Sequence, residues 1–424
     1  MTAKKQFSFF IYFDIGKLYI VNHRINNISK FDYNHIKQGN DSNQLENLKF
    51  LISKTISVIL MELHPLLSQF DENDLGRYSN ACKEDLLDFL ENLGLSGILV
   101  LQMLEKVRES ILITDVQEEN DLQGAILRGA NLQGYNFRGA DLQGVDFEKA
   151  NLQVATFYGA DLQETNLQEA NLRGSDFIHA KLEKANLQGA NLLEAYLQGA
   201  DLEKANLQGA NLKGANLQGA DLENANLDGA NLQGANLQKT NLHLVNLQRA
   251  NLQEAIFIKA NLSGAQLQEA NLVKANLQET ILKESNIREA NLEEANLEGA
   301  KLKEAKLEET NLEGAKLISA NLKGANLKGA NLKGANLIKA NLNNANLQKA
   351  ELQGANLKGA NLIGTNFRKT NLDRAKLDET DLRRAKNLSI DQLSKVKTLY
   401  NAKLDDKILI LMKEKYPVLF EKAK

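Results

Sequence analysis

Residues 320–339 read ANLKG-ANLKG-ANLKG-ANLIK, and this five-residue unit recurs without a break over much of the chain. Every fifth residue from Leu122 to Leu382 is Leu, Phe or Ile, which makes 53 consecutive positions, 46 of them leucine. A step of five turns an α-helix by roughly 140°, so these leucines would form no apolar stripe. In a straight strand, the same step places alternate leucines on opposite faces. The chain must therefore bend once per unit, so that every leucine points into a shared interior, as in a solenoid.

The other four positions of the unit agree with this interpretation. With the leucine numbered i, position i−2 is Ala at 40 of the 53 sites, and position i−1 is Asn or Asp at 41. A small residue two before the leucine shares its face and leaves room for it inside, whereas Asn or Asp can bond nearby backbone at a bend. All 23 glycines of the segment occupy position i+2. We expect type II turns at the glycines and type I turns where Glu or Lys takes their place.

Units such as Ala220-Asp221-Leu222-Glu223-Asn224 and Ala330-Asn331-Leu332-Lys333-Gly334 resemble the pentapeptide repeat family, whose consensus is A(D/N)LxX. The resemblance covers residues 121 to about 386. It implies a mainly β fold, a right-handed quadrilateral β-helix with four units per coil and about 13 coils. The five-residue period alone does not require four sides.

The resemblance also implies which side chains point inward. In a 20-residue coil, Phe137, Phe157, Phe177 and Phe257 would stack along one inner face, because they are separated by multiples of 20. The predicted structural inward ladder is represented by Leu132, Phe137, Phe157, Phe177, Leu222, Phe257, Leu332 and Phe367.

Composition shifts divide the chain into residues 1–120, 121–386 and 387–424. The first region predicts an α/β or mostly helical module. It has a β-hairpin formed by Phe7 to Phe13 and Leu18 to Val21, a polar turn-rich stretch at 26–43, and helices at about 45–63, 86–94 and 97–112. The last region predicts a helical cap. An S-x-x-Q capping box at Ser389 would open a helix reaching Tyr400, and a second helix would run from about Asp405 to Tyr416. Both flanking regions can serve as caps for the open strand edges of a solenoid, and the larger first region could also bind a partner or form a homodimer.

The sequence contains little that suggests chemistry. Cys82 is the single cysteine, the five histidines are scattered, and no CxxC or CxxxH cluster predicts a metal site. A Leu- and Ala-filled interior leaves no cavity for a substrate, so we expect no catalytic residues, no cofactor and no enzyme activity. The apolar runs at 7–13 and 50–67 are too short or too charged for a signal core or a membrane span, which favours a soluble cytoplasmic protein.

Charge along the repeats is uneven. Residues 121–320 carry 18 basic and 27 acidic side chains, whereas 321–386 carry 13 and 5. Lys323, Lys328, Lys333 and Lys358 share the position after the leucine, and with four sides per coil they would form a basic interaction belt around the rod. Drift among solvated repeats is the plain alternative to a functional gradient.

These observations favour a noncatalytic scaffold or protein-binding rod that mediates protein–protein interaction. The alternative is a DNA mimic that binds a topoisomerase such as DNA gyrase, as some similar pentapeptide repeat proteins do, although a repeat segment of net charge −1 supplies the acidic face poorly. Outward positions rich in Gln, Glu and Lys disfavour ice binding. Direct nucleic-acid binding is disfavoured because the belt lacks interleaved aromatic residues.

Overall fold

The computed structural model describes residues 9–14, 17–22, 27–32 and 122–422, and the chain divides into two compact units, Met1–Glu119 and Asn120–Lys424. In the first unit, β1 (Phe9–Asp14), β2 (Lys17–Asn22) and β3 (Asn27–Asp32) form an antiparallel sheet in the order β1-β2-β3. The predicted hairpin is confirmed as β1 and β2, which pair from Phe9↔Asn22 to Asp14↔Lys17. The start of the stretch predicted to be turn-rich is instead a strand, β3. The three helices predicted between 45 and 112 lie outside the described residues.

In the second unit, each five-residue repeat contributes one residue to a parallel ladder between coils. Asn186 pairs with Asn206, and Asn206 pairs with Asn226, so one coil takes 20 residues. Four bends therefore separate a residue from its partner in the next coil, and the coil has four sides. The structure thus supplies the number of sides, which the five-residue period leaves open.

Where position i−1 is Asn or Asp, the fold can engage all five backbone amides of a repeat. In the repeat 186–190, the amides of Asn186, Leu187 and Gly189 donate to carbonyls of neighbouring coils at 2.9, 2.7 and 2.9 Å. The amide of Ala190 closes the bend onto the carbonyl of Leu187 at 3.0 Å. The remaining amide, of Gln188, donates to the Oδ1 of Asn186 at 3.3 Å. Asn or Asp at position i−1 is thus explained by the one amide that the coils leave without a carbonyl.

The bends are all of one kind, which corrects the type I turns predicted for Glu and Lys corners. All 53 residues at position i+2 have positive φ, the 30 other residues as well as the 23 glycines. Lys149, for example, has φ +58°, and its amide donates to the carbonyl of Gln168 in the next coil at 2.9 Å. Stacking fixes the direction of this amide whatever the side chain. Non-glycine residues therefore adopt the left-handed conformation at a cost of about 1 kcal/mol each.

Leucine, phenylalanine and alanine fill the interior. Phe157, Leu222, Phe257, Leu332 and Phe367 have no exposed surface, and Phe177 is equally buried. Phe137 is 2% exposed. Leu132 is only partly buried although the pattern places it inside, because it belongs to the first described coil, whose covering coil lies on the C-terminal side.

The phenylalanine stack predicted on one inner face is present. The rings of Phe137 and Phe157 are 5.1 Å apart at 10°, and those of Phe157 and Phe177 are 4.6 Å apart at 3°. Buried Thr and Ser at position i−2 keep their hydroxyls bonded to backbone; Thr280 Oγ1, for example, donates to the carbonyl of Phe257 at 2.8 Å. The interior therefore tolerates these polar residues without an unpaired donor.

Asparagines also connect the coils through their side chains. On one side of the rod, position i−1 is Asn in eleven consecutive coils from Asn131 to Asn331. The Nδ2 of Asn211 donates to Oδ1 of Asn191 at 3.1 Å, and Asn231 donates to Asn211 at 3.3 Å. Each asparagine side chain bonds both to the local bend and to the neighbouring coil, which explains why asparagine recurs at this position.

The C-terminal end differs from the sequence-based expectation. The capping box at Ser389 is confirmed, but its helix α1 (Ile390–Ser394) stops well before Tyr400. Residues after it return to the solenoid: Thr398 pairs with Lys376, and Lys403 pairs with Asp381. Buried Leu399 and Leu404 lie five residues apart and continue the inward pattern, displaced by two positions from the register of Leu382.

The second predicted C-terminal helix is confirmed as α2 (Asp406–Lys415), followed by a 3₁₀ turn at Pro417–Phe420. Met412 is its buried residue. The amide of Leu399 donates to the carbonyl of Leu419 at 2.6 Å, so the last segment covers part of the final strand edge.

Replacing Phe157 by Leu should destabilise the repeats more than replacing Phe257 by Leu, by about 1 kcal/mol, because only Phe157 has stacked rings on both sides among the described residues. The two sites are equally buried, so Phe257→Leu controls for lost volume. Urea unfolding followed by circular dichroism measures the difference. Equal losses would show that ring stacking contributes nothing beyond packing.

Val154→Gly should raise stability by about 1 kcal/mol, because a β-branched residue at φ +50° is strained whereas glycine is not. Val154 is 57% exposed, so little packing is lost. Val154→Ala keeps a Cβ and serves as the control, with a smaller expected gain. A lower melting temperature for Val154→Gly would contradict the assignment of strain.

Candidate interaction surface

Packed side chains fill the interior of the described repeats. A gap among them, lined by Phe257, Leu272 and Leu292 among others, has no room for a water molecule. In the part of the chain that the structure describes, no cluster of three His, Cys, Asp or Glu side chains could hold a metal ion. No helix within the same residues is long and apolar enough to cross a bilayer. The candidate surface is therefore the set of outward positions i−1, i+1 and i+2.

These outward residues form columns along the rod, because each lies above the residue 20 positions earlier in the chain. The basic belt follows from this spacing. Lys323, Lys328 and Lys333 lie on three successive sides of the coil, and Lys358 lies on the fourth side in the next coil. All four side chains are exposed. The Nζ of Lys358 is 3.3 Å from a carboxylate oxygen of Glu379, whereas no carboxylate of the described residues lies within ion-pair distance of the other three.

One column at position i+1 changes sign along its length, and we call it the reversal column. Its N-terminal part, which we call the upper part, is acidic. Its middle is neutral, and its C-terminal part, the lower part, is basic. In order it contains Glu183, Glu203, Glu223, His243, Ser263, Lys283, Lys303 and Lys323. Eight residues at the roughly 4.8 Å spacing of paired strands span about 34 Å. Sequence reasoning identified the overall charge gradient but missed this column, which appears only when the chain is read every twentieth residue.

A neighbouring column, one residue later at the bends, carries the opposite signs. Lys184 lies 3.4 Å from carboxylate oxygens of both Glu164 and Glu183. The hydrogen bonds that Lys184 donates, first to Glu164 and then to Glu183, raise the pKa of Lys184 above its usual value. In the lower half the order is reversed, and Lys283 lies 3.1 Å from Glu284. The two adjacent columns therefore form a checkerboard of charges.

The two histidines of the repeats have structural surroundings. His243 lies in the reversal column, with Nδ1 3.0 Å from the carbonyl of Ser263. His179 packs over Gly199 and meets the ring of Tyr158 edge-on at 6.0 Å. The two histidines lie on different coils, and this agrees with their scattered positions in the sequence.

Asp381 is the best-anchored carboxylate at the basic end of the rod. It accepts hydrogen bonds from Nε and Nη2 of Arg383 at 2.9 and 2.6 Å, and Lys403 lies opposite it in the ladder. The bond from the Arg383 side chain holds the pKa of Asp381 below its usual value, against the opposing effect of partial burial.

Two family models match this chain, and together they span residues 130–386. The model for pentapeptide repeats matches in eight copies between 190 and 386, and the model for a pentapeptide repeat region matches 130–207. The chain belongs to the pentapeptide repeat family. The right-handed sense of the coil remains the one that this family implies.

Solved structures of other pentapeptide repeat proteins are similar to this chain. HetL, involved in heterocyst differentiation regulation in the cyanobacterium Nostoc sp. strain PCC 7120, is 30% identical over 64% of this chain and 94% of its own, with a TM-score of 0.19. QnrB1, a plasmid-mediated fluoroquinolone resistance protein, is 20% identical over 48% and 95%, with a TM-score of 0.30. Rfr23 from the cyanobacterium Cyanothece 51142 is 32% identical over 30% and 90%, with a TM-score of 0.17. No curated protein sequence matches significantly.

The substitution Asp381→Asn should lower the free energy of unfolding near neutral pH. In acid the difference between variant and wild type should disappear. A carboxylate whose folded pKa is depressed contributes stability that is present above its unfolded pKa, about 3.9, and is lost as the pH falls through the folded value. Urea midpoints of wild type and variant should thus converge below about pH 4. Asp373→Asn, an exposed aspartate without a side-chain hydrogen bond to the described residues, is the control. A gap of constant size down to pH 2 would contradict the linkage.

Proposed function

We propose that this pentapeptide repeat protein is a noncatalytic scaffold whose outward columns bind other proteins. The observation that carries the proposal is the use of each repeat within the rod. The interior is filled by packed side chains, the backbone amides other than that at i+1 bond to backbone carbonyls, and in most repeats the i+1 amide bonds to Asn or Asp at i−1. Only the side chains at i−1, i+1 and i+2 remain to contact a partner. Rigid columns at about 4.8 Å spacing present charge in a fixed order, which suits recognition of a complementary protein surface.

The charge distribution supports a directional surface. The repeats up to residue 320 carry net −9 and those from 321 to 386 carry net +8. Such separation steers a partner to one end of the rod and orients it. A cytoplasmic location is part of the same proposal and rests on the sequence alone.

The belt supplies the first test. The triple variant Lys328→Glu, Lys333→Glu, Lys358→Glu should lose proteins that full-length wild type captures through the basic end, because opposed charge becomes like charge there. Affinity capture compares it with the triple variant Gln208→Glu, Gln218→Glu, Gln248→Glu, which adds carboxylates at the same i+1 position within residues 121–320, outside the basic end. Identical capture by wild type and the belt variant at low and high salt would remove the belt from the proposal.

Removal of residues 1–120 tests whether partners bind to the rod or to the first unit. If the rod is the scaffold, the protein comprising residues 121–424 keeps the partners of the full-length chain. Loss of every partner would leave the rod as a spacer and transfer recognition to the first unit.

The second candidate function is mimicry of a DNA duplex toward a topoisomerase such as DNA gyrase. One specific feature favours it: Asp141, Asp161, Asp201 and Asp221 share a column at i−1 beside the acidic part of the reversal column. Lys181, 3.1 Å from Asp161, interrupts the acidic surface and weakens the likeness. A gyrase supercoiling assay discriminates between the two functions, because a scaffold leaves supercoiling unchanged whereas a mimic inhibits it.

A further inference from the structure

The reversal column is antisymmetric about its midpoint, which lies between His243 and Ser263. Counting outward from that point, Glu223 and Lys283 are equally far away, as are Glu203 and Lys303, and Glu183 and Lys323. A column with this property is complementary to itself when turned end for end. It is therefore the signature of a two-fold interface, in which the same patch serves both partners.

Each of the two adjacent columns adds one pair of opposite charges under the same operation. At the bends, Lys204 and Glu304 are equally far from the midpoint and opposite in charge. At position i−1, Asp201 and Lys301 are related in the same way. The other pairs of these two columns, such as Lys184 with Gly324 and Asp221 with Ile281, are not opposite charges, so the reversal column itself carries the symmetry.

We propose that a second copy of this chain packs antiparallel along the reversal column. A two-fold axis in the interface plane, perpendicular to the rod, leaves each column facing its own counterpart while reversing its direction. Glu183, Glu203 and Glu223 of one copy then face the lysines of the other. Both copies contribute, so every charge of the column gains an opposite partner across the interface, in addition to intrachain neighbours such as Lys184 beside Glu183.

The register of this pairing is fixed by the same charges. A parallel arrangement places Glu opposite Glu and Lys opposite Lys, which is repulsive. A shift by one coil in the antiparallel arrangement moves Glu223 opposite Ser263 and loses one of the three matches in each direction. The centred antiparallel register is the one that satisfies all of them.

One exposed leucine lies at the centre of the interface, beside His243 and Ser263. Leu244 is 49% exposed and holds φ +55°, an unfavourable conformation for an exposed leucine. Its side chain lies over Gly264 of the same chain, at the place that a Cβ of that residue would occupy. Under the two-fold operation the Leu244 side chains of the two copies therefore approach each other at the midpoint. At the basic end of the column, no carboxylate of the described residues lies within ion-pair distance of Lys323, so that it can meet Glu183.

This inference rests on the proposed function, because it takes the outward columns as binding surfaces. It goes further by naming one partner, a second copy of the chain. The belt variant above keeps Lys283, Lys303 and Lys323 unchanged. A monomeric wild type would therefore overturn self-association while leaving capture of other proteins by the rod intact.

Sedimentation velocity of the full-length chain tests the inference through charge exchange. One variant, Glu183→Lys with Glu203→Lys and Glu223→Lys, makes the column basic throughout; the other, Lys283→Glu with Lys303→Glu and Lys323→Glu, makes it acidic throughout. Each variant alone should dimerise about 100-fold more weakly than wild type, because like charges face each other. Mixed in equal amounts they should form a heterodimer, since every Lys then meets a Glu.

Two controls keep the outcome decisive. The variant Glu293→Lys, Glu298→Lys, Glu313→Lys makes the same change in net charge on other sides of the rod and should dimerise like wild type. Wild type itself, without any substitution, should dimerise about tenfold more weakly when salt rises from about 0.05 M to about 0.5 M. A wild type that is monomeric at low salt, single variants that dimerise normally, or a mixture that stays monomeric would each overturn the proposal.

Discussion

The fold depends on backbone hydrogen bonds between neighbouring coils, which join residues 19 or 21 apart in the sequence and occur three times in a five-residue unit. Each such bond contributes little by itself, but the ladder leaves only two amides per repeat to be satisfied locally. One closes the bend and the other is taken by Asn or Asp. A buried or half-buried amide without an acceptor would be costly, so the amide of Gln188 explains Asn186 as directly as burial explains Leu187.

The same ladder overrides local conformational preference. Judged alone, a Glu or Lys at the bend favours a type I turn, and this is what the sequence predicted. In the coil, however, the amide at this position must point at the carbonyl of the next coil, as that of Lys149 does. The backbone therefore takes positive φ with or without glycine, and the cost is distributed over many corners in a rod stabilised by all its coils.

Sequence alone could establish much of the fold, but not all of it. The unbroken period placed Leu222 and Phe157 inside, and it could do so because burial follows directly from position in the unit. It could not set the number of sides, which depends on how bends add up in space. The extended helix after Ser389 was wrong because Leu393, Val396 and Tyr400 are spaced as on one helical face, whereas in the structure Leu399 and Leu404 take the inward positions of a resumed coil. The candidate surface was still harder to find, since Glu223 and Lys283 become related only when the 20-residue offset is known.

A ladder offset of four units also restricts how such a rod can change its length. Inserting one five-residue unit preserves the inward leucine but rotates every later residue to the next side, so that all downstream columns are broken. Inserting 20 residues lengthens the rod and keeps each column continuous. Growth by whole coils is therefore the route that conserves a surface pattern, whereas growth by single units rewrites it without harming the core. A single duplication can thus alter recognition while leaving stability nearly unchanged.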